Sequence, residues 1–119
     1  MTAIYIESSA ILTWLLGEQK AGMAISAINR AETAATSVLS IVEVERALNR
    51  AAHKRIITAG QVQIARGMLE RAKATWILME ISEEVRLRAG RQFPIEPVRT
   101  LDAIHLSTAL TFMRVFPDL

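Results

Sequence analysis

The chain of 119 residues contains no cysteine, only five glycines and three prolines, and few aromatic residues. Without cysteine it forms neither disulfides nor thiolate-ligated zinc sites, which fits a reducing compartment. No apolar run approaches the ~20 residues of a membrane-spanning helix, and the N-terminus lacks the features of a signal peptide. We therefore expect a cytoplasmic protein, and the length predicts a single domain over residues 1–119.

Several catalytic motifs are also missing. The glycines form neither a G-x-G-x-x-G motif nor a P-loop, and no serine lies in a G-x-S-x-G elbow. The two histidines, His53 and His105, have no evident nucleophile beside them, and we interpret His105 as a packed helix residue rather than a base. The acidic residues are left as the best candidates for a site.

The apolar pattern predicts strands that alternate with helices. Continuous apolar runs predict buried strands at 3–6 and 75–80, with a shorter strand at 34–38. Helices are predicted at 8–17 with a serine cap, 18–31, from the capping box Ser40–Glu43 onward, 59–73, 83–92 after Ser82, and 100–113. The last helix is apolar nearly all round, so we expect it to be buried on more than one side. This order favours an α/β fold with a parallel sheet.

Three acidic residues fall at predicted element ends. Glu7 directly follows the first strand, whereas Glu43 and Asp102 lie in the first turns of helices. In parallel sheets, ligands bind beyond the carboxyl ends of the strands, and carboxylates that meet there need a compensating cation such as Mg²⁺ or Mn²⁺. Glu43 and Asp102 also have a structural explanation, as a capping-box acid and a helix-dipole acid. An apolar stripe places Asp102 toward the core side of its helix.

The positive charge is concentrated in the middle of the chain. Residues 43–73 contain seven basic and three acidic residues, although the whole chain carries a net charge of only +2. Arg46 and Arg50 lie one and two turns beyond Glu43 on nearly the same helix face, where they could bind phosphates. The alternative is that these charges are solvated helix faces.

Three segments together resemble the PIN-domain ribonucleases, in particular the VapC-like toxins of type II toxin–antitoxin pairs: IYIESSAIL, TSVLSIVEVERALNR and VRTLDAIHLSTAL. The resemblance covers nearly the whole chain in order and spacing. It implies a three-layer α/β/α fold with acidic residues around a Mg²⁺ or Mn²⁺ ion, and cleavage of single-stranded or loop RNA. It also implies a VapB-like antitoxin as a partner, and a homodimer.

The resemblance assigns roles by position. Glu43 matches the helix-borne glutamate of the family, Asp102 its later aspartate, and Ser9 a small hydroxyl residue that supports the metal shell. Glu7 falls where the family has aspartate and would be the primary metal ligand. Because Glu7 is one methylene longer, and a misplacement of about 1 Å can cost on the order of a hundredfold in rate, we expect weakened activity.

The segment RVFPDL ends the chain where family members continue into a last strand with a further acidic residue. We therefore expect a sheet without its last edge strand. Together with Glu7, this departure leaves an alternative function open: a catalytically inactive PIN-fold module that binds an antitoxin.

Overall fold

The computed structural model describes residues 3–17 and 22–116. In chain order the elements are β1 (Ala3–Tyr5), α1 (Ser8–Leu16), α2 (Gly22–Arg30), β2 (Thr33–Ser37), α3 (Val38–His53), α4 (Ala59–Lys73), β3 (Ile77–Met79), α5 (Glu83–Ala89) and α6 (Thr100–Val115). The first four residues of the helix predicted at 18–31 lie outside the described residues. Residues 117–119 also lie outside the described residues. They end the segment RVFPDL, after which the sequence analysis expected no last edge strand.

The strands form a parallel sheet in the order β1-β2-β3. Tyr5 lies opposite Ala35 in the register of β1 and β2. Just beyond β1, the Ile6 amide donates to the Ala35 carbonyl at 2.8 Å, and Thr36 Oγ1 donates to the Ile6 carbonyl at 2.5 Å. These two bonds hold the chain against β2 at the point where it leaves the sheet. They thereby fix where the next residue, Glu7, lies.

Helices cover both faces of this sheet. Because successive side chains of a strand point to opposite faces, Ile4 and Ile6 pack in the larger core with α1–α4. Ala3 and Tyr5 face the other way and pack with Phe112 of α6. Helix α5 packs against α6. The prediction of an α/β fold with a parallel sheet between helical layers is confirmed.

Two helix starts differ from the sequence-based prediction. The N-cap of α1 is Glu7 and not a serine. The N-cap of α3 is Ser37, whose Oγ accepts from the Leu39 amide at 3.0 Å. Since β2 runs directly into α3 without a loop, the last strand residue is the cap, and the predicted capping box of Ser40 and Glu43 is wrong. Ser40 lies inside α3 and is fully buried.

Other element ends match their signals. Helix α1 is followed by Gly17 at φ 64°, a left-handed conformation that glycine adopts readily. Helix α4 has the predicted bounds, and the Thr58 side chain forms a capping box with Gln61 at its start. Ser82 caps α5 as predicted, through a bond from the Val85 amide. Helix α5 ends at Ala89, three residues earlier than expected.

Helix α6 packs against the sheet and against α5, and its remaining side is exposed. Ala103, Ser107, Thr108, Thr111 and Phe112 are buried, whereas Leu101, Leu106 and Met113 are 49%, 43% and 42% exposed. The packing against the sheet and against α5 agrees with the expectation that this helix is buried on more than one side, although these three apolar residues are not covered. No helix in the described part of the chain combines the length and apolarity needed to cross a membrane.

Candidate active site

Glu7 lies between the end of β1 and the first turn of α1. Its backbone is extended, and Oε1 accepts from the Ala10 amide at 3.1 Å. The Ser9 hydroxyl donates to the same oxygen. The free amides and the dipole of a helix N-terminus favour a negative charge at this position. The structure thus brings Glu7 and Ser9 together and leaves both exposed to solvent.

Glu43 lies in the second turn of α3 and contacts α6. Its Oε1 is 2.5 Å from Nε2 of His105, a residue 62 positions later in the chain. The His105 side chain is 12% exposed and that of Glu43 is 26% exposed. Instead of capping α3, Glu43 therefore joins this helix to α6 at the carboxyl edge of the sheet.

Tyr5 continues this contact into the sheet. Its hydroxyl lies 3.4 Å from Nδ1 of His105. Burial raises the pKa of Tyr5 to about 12, against smaller opposing effects from the nearby polar groups of Ser40, the Ser37 backbone and Thr108. The hydroxyl keeps its proton at neutral pH and is available as a donor.

Asp102 is an exposed residue in the first turn of α6. The prediction that it leans toward the core is wrong, because the exposed side of α6 includes Leu106 of the same stripe. Asp102 lies three residues before His105, and side chains at this spacing are neighbours on a helix surface, with Cβ atoms about 5–6 Å apart. Because Glu43 contacts His105, it lies beside a residue that is one helical turn from Asp102.

The acidic residues have the oxygen donors that Mg²⁺ and Mn²⁺ prefer, and Mg²⁺ often takes only one or two carboxylates and keeps waters. Within residues 3–17 and 22–116, however, no three histidine, aspartate or glutamate side chains are gathered so that they could hold one ion. Two buried hydroxyls on the same helices, Ser40 Oγ and Ser107 Oγ, lack a hydrogen-bond partner among the described residues. The residues thus fit such an ion by donor type, but they are not arranged as a closed ligand set.

A basic groove, formed by Arg46, Asn49, Arg50, His53 and Lys54, runs along the exposed side of α3. Its volume is about 280 Å³. The Arg66 guanidinium of α4 donates to Asn49 Oδ1 at the border of the groove. The structure therefore places the two predicted phosphate-binding arginines side by side, on the helix that carries Glu43.

Sequence reasoning missed Tyr5 as a site residue and gave His105 no contact with the acidic residues. Both have a weak positional signal, since Tyr5 precedes Glu7 by two residues in a strand and His105 follows Asp102 by three in a helix. In the groove, Asn49, His53 and Lys54 were missed as well. Their spacing of three and four residues from Arg46 and Arg50 puts them on a common helix face.

Two comparisons with known proteins agree with this architecture. The family model of the PIN domain matches residues 4–112. Ribonuclease VapC46 of Mycobacterium tuberculosis is 34% identical over 109 residues, which cover 92% of this chain and 75% of that protein. The matched region runs from β1 into α6 and includes Glu7, Glu43 and Asp102. The chain belongs to the PIN-domain family and is a VapC-like member of it.

Proposed function

We propose that this chain is a Mg²⁺- or Mn²⁺-dependent endoribonuclease toxin of the VapC type. The observation that carries the proposal is the contact between Glu43 and His105, because it joins the helices that bear Glu43 and Asp102 at the sheet edge where Glu7 lies. Membership of the PIN-domain family and the similarity to a protein named as a ribonuclease support it.

In this proposal Glu7, Glu43 and Asp102 hold the metal ion. When bound, such an ion lowers the pKa of a coordinated water and offsets negative charge at the scissile phosphate. Ser9 restrains the Glu7 carboxylate by donating its hydroxyl to Oε1. The Ala10 amide donates to the same atom, so that the other oxygen of Glu7 is left for a cation.

The basic groove binds the phosphates of the RNA. Arg46, Arg50 and Lys54 follow Glu43 along α3, and Lys54 is eleven residues, or about 16 Å of helix rise, away from the glutamate. Consecutive phosphates of a strand laid along this helix would meet successive basic side chains. The groove thereby holds the nucleotides that flank the cleaved bond.

We further propose the partners that the family likeness implies. One is a VapB-like antitoxin, whose C-terminal segment lies across the groove of the toxin and blocks it. The other is a second copy of this chain in a homodimer. An RNA substrate is consistent with the cytoplasmic location expected from the sequence.

The test is cleavage of a panel of structured RNAs by the purified protein in Mn²⁺ and in Mg²⁺. We expect cleavage that EDTA abolishes and that Asp102→Asn abolishes, because the amide removes the charge of a ligand and keeps its shape. Glu83→Gln is the matched control, since Glu83 likewise lies in the first turn of a helix, α5, and has no part in the proposed site. It should cleave like wild type, and equal cleavage by Asp102→Asn would contradict the assignment.

One observation favours a second candidate, a catalytically inactive module that binds an antitoxin. Glu7 replaces the shorter aspartate of the family, and its carboxylate already caps α1. This candidate predicts tight binding to a small antitoxin and no metal-dependent cleavage by wild type. Measurable turnover in Mn²⁺ or Mg²⁺ would exclude it.

A further inference from the structure

A single imidazole connects the three parts of the fold that carry the acidic residues. His105 belongs to α6, its Nε2 contacts Glu43 of α3 at 2.5 Å, and its Nδ1 contacts Tyr5 of β1 at 3.4 Å. Glu7 follows Tyr5 by two residues, and Asp102 precedes His105 by three. This one side chain therefore contacts both other elements near the proposed acidic ligands.

The chemistry of the two contacts fixes which atoms donate. A carboxylate is an acceptor only, so Nε2 of His105 must carry a proton to bond to Glu43. In a neutral imidazole, Nδ1 is then an acceptor, and Tyr5 O–H is a suitable donor to it. All three groups are satisfied in the order Tyr5 O–H to Nδ1, and Nε2–H to Glu43 Oε1.

We propose that His105 is a positioning residue for the nuclease site, an inference that rests on the proposed function. By donating Nε2–H to Oε1, it holds the Glu43 carboxylate in one orientation, and Tyr5 fixes the ring and its tautomer from the other side. In the described part of the chain nothing else donates to Glu43, whose second oxygen is left for the cation. His105 itself touches neither metal nor RNA.

This arrangement differs from an ordinary surface ion pair. The His105 side chain is only 12% exposed, so its ring has little freedom to turn away, whereas Glu43 is 26% exposed and stays accessible from solvent. Partners that orient a ligand in this way matter for metal binding, and their loss typically costs 10–100-fold in metal affinity or activity. If the bond between His105 and Glu43 only joined α3 to α6, its loss would lower the stability of the protein and leave the metal affinity unchanged.

The experiment is titration of purified wild type and variants with Mn²⁺ alone, followed by the loss of the free-ion electron paramagnetic resonance signal. His105→Leu should weaken Mn²⁺ affinity about 10–100-fold. His105→Gln, which can place an N–H near the position of Nε2–H, should restore most of this affinity. Tyr5→Phe, which keeps the ring and removes one hydroxyl, should give a smaller loss and is the second variant if His105→Leu does not fold.

The tautomer provides a readout that needs no metal. The nitrogen resonances of the two histidines can be assigned by comparison with His105→Gln, and in the neutral form of the ring those of His105 should show the proton on Nε2 and not on Nδ1. A proton on Nδ1 would overturn the donor order proposed here.

The outcomes separate the two proposals. Wild type that binds Mn²⁺ and cleaves RNA, with unchanged Mn²⁺ affinity in folded His105→Leu, would overturn the positioning role alone. Wild type that neither binds Mn²⁺ nor cleaves RNA would overturn the proposed function and this inference with it. Weakened binding in His105→Leu that His105→Gln does not restore would also contradict the positioning role, since a donor at Nε2 would not be what matters.

Discussion

Glu7 caps a helix and is also a proposed metal ligand. Its carboxylate accepts from the Ala10 amide and the Ser9 hydroxyl, which stabilises the start of α1, and we propose that it also binds the metal ion. Aspartate is among the preferred N-cap residues and has a shorter side chain. The position therefore allows the length of the side chain to be tested separately from its charge and its capping role.

We expect Glu7→Asp to fold like wild type and to cleave RNA faster, by up to about a hundredfold if one methylene misplaces the carboxylate by about 1 Å. Glu7→Ala should lose cleavage, and its free energy of unfolding should fall by about 0.5–2 kcal/mol because the cap is lost. Cleavage rates and urea denaturation of the two variants measure these effects. If Glu7→Ala cleaved RNA as fast as wild type, Glu7 would have no part in the chemistry.

Tyr5 is the only tyrosine in the chain, so its titration can be read directly from the ultraviolet absorbance of tyrosinate. Burial raises its pKa to about 12, and we expect a midpoint near that value in the folded protein and near 10 in urea. Because the folded pKa is the higher one, the contribution to stability is complete below about pH 10 and is lost as the pH rises toward 12. A folded-state midpoint at about 10 would contradict the burial of this hydroxyl.

Among the elements, the sequence predicted best those whose ends have local signals. Helix α4 has its predicted bounds at 59–73, since Thr58 and Gln61 form a capping box within four residues of each other. The predicted start of α3 was wrong because Ser37 and Ser40 are equally good caps by residue type. Only the direct junction with β2 decides between them.

The exposure of α6 depends on tertiary structure in the same way. Its sequence is apolar nearly all round, but the apolar pattern does not say how many elements pack against a helix. In the fold, one side of α6 meets the sheet through Phe112 and another meets α5, whereas Leu101 and Leu106 are left exposed. The apolar pattern therefore predicted the helix and its burial on more than one side, but not which of its apolar residues stay exposed.

The basic groove of α3 is an element-scale feature whose role can be measured through salt dependence. We expect Arg46→Gln and Arg50→Gln each to weaken binding of single-stranded RNA and to reduce the slope of log affinity against log salt by about 0.7 per lost phosphate contact. Fluorescence anisotropy with labelled RNA, in EDTA and in an Asp102→Asn background, measures binding without cleavage.

Arg91→Gln is a control for this experiment, since Arg91 lies outside the groove and carries the same charge. It should change neither the affinity at moderate salt nor the slope. Equal effects of all three substitutions would mean that RNA responds to the overall charge of the protein, and the groove would then have no specific part in binding.

In the whole molecule, the candidate site lies where the two helical layers meet. The larger core joins α1–α4 to one face of the sheet, and the smaller cluster around Phe112 joins α6 to the other face. Glu43 comes from the first layer and His105 from the second, and they meet at the carboxyl edge of the strands. The site therefore forms only when both layers have packed on the sheet.

This arrangement explains how much of the site the sequence could predict. Glu7, Glu43 and Asp102 were predicted as site residues from their expected places at element ends and from the family likeness. The partner of Glu43 could not be predicted, because the contact spans 62 positions and depends on how helices from opposite faces approach each other. The same holds for Tyr5, which reads as an ordinary strand residue until the fold places its hydroxyl beside His105.

The most direct test of the central claim is the rate of RNA cleavage, as a function of Mn²⁺ concentration, for wild type, Glu43→Gln and Glu45→Gln. The two glutamates lie two residues apart on α3, but Glu45 is exposed on another side of the helix. We predict a rate that saturates with Mn²⁺ for wild type and for Glu45→Gln, and no measurable cleavage for Glu43→Gln. Cleavage that persists in EDTA, or an equal rate for Glu43→Gln and wild type, would contradict the account.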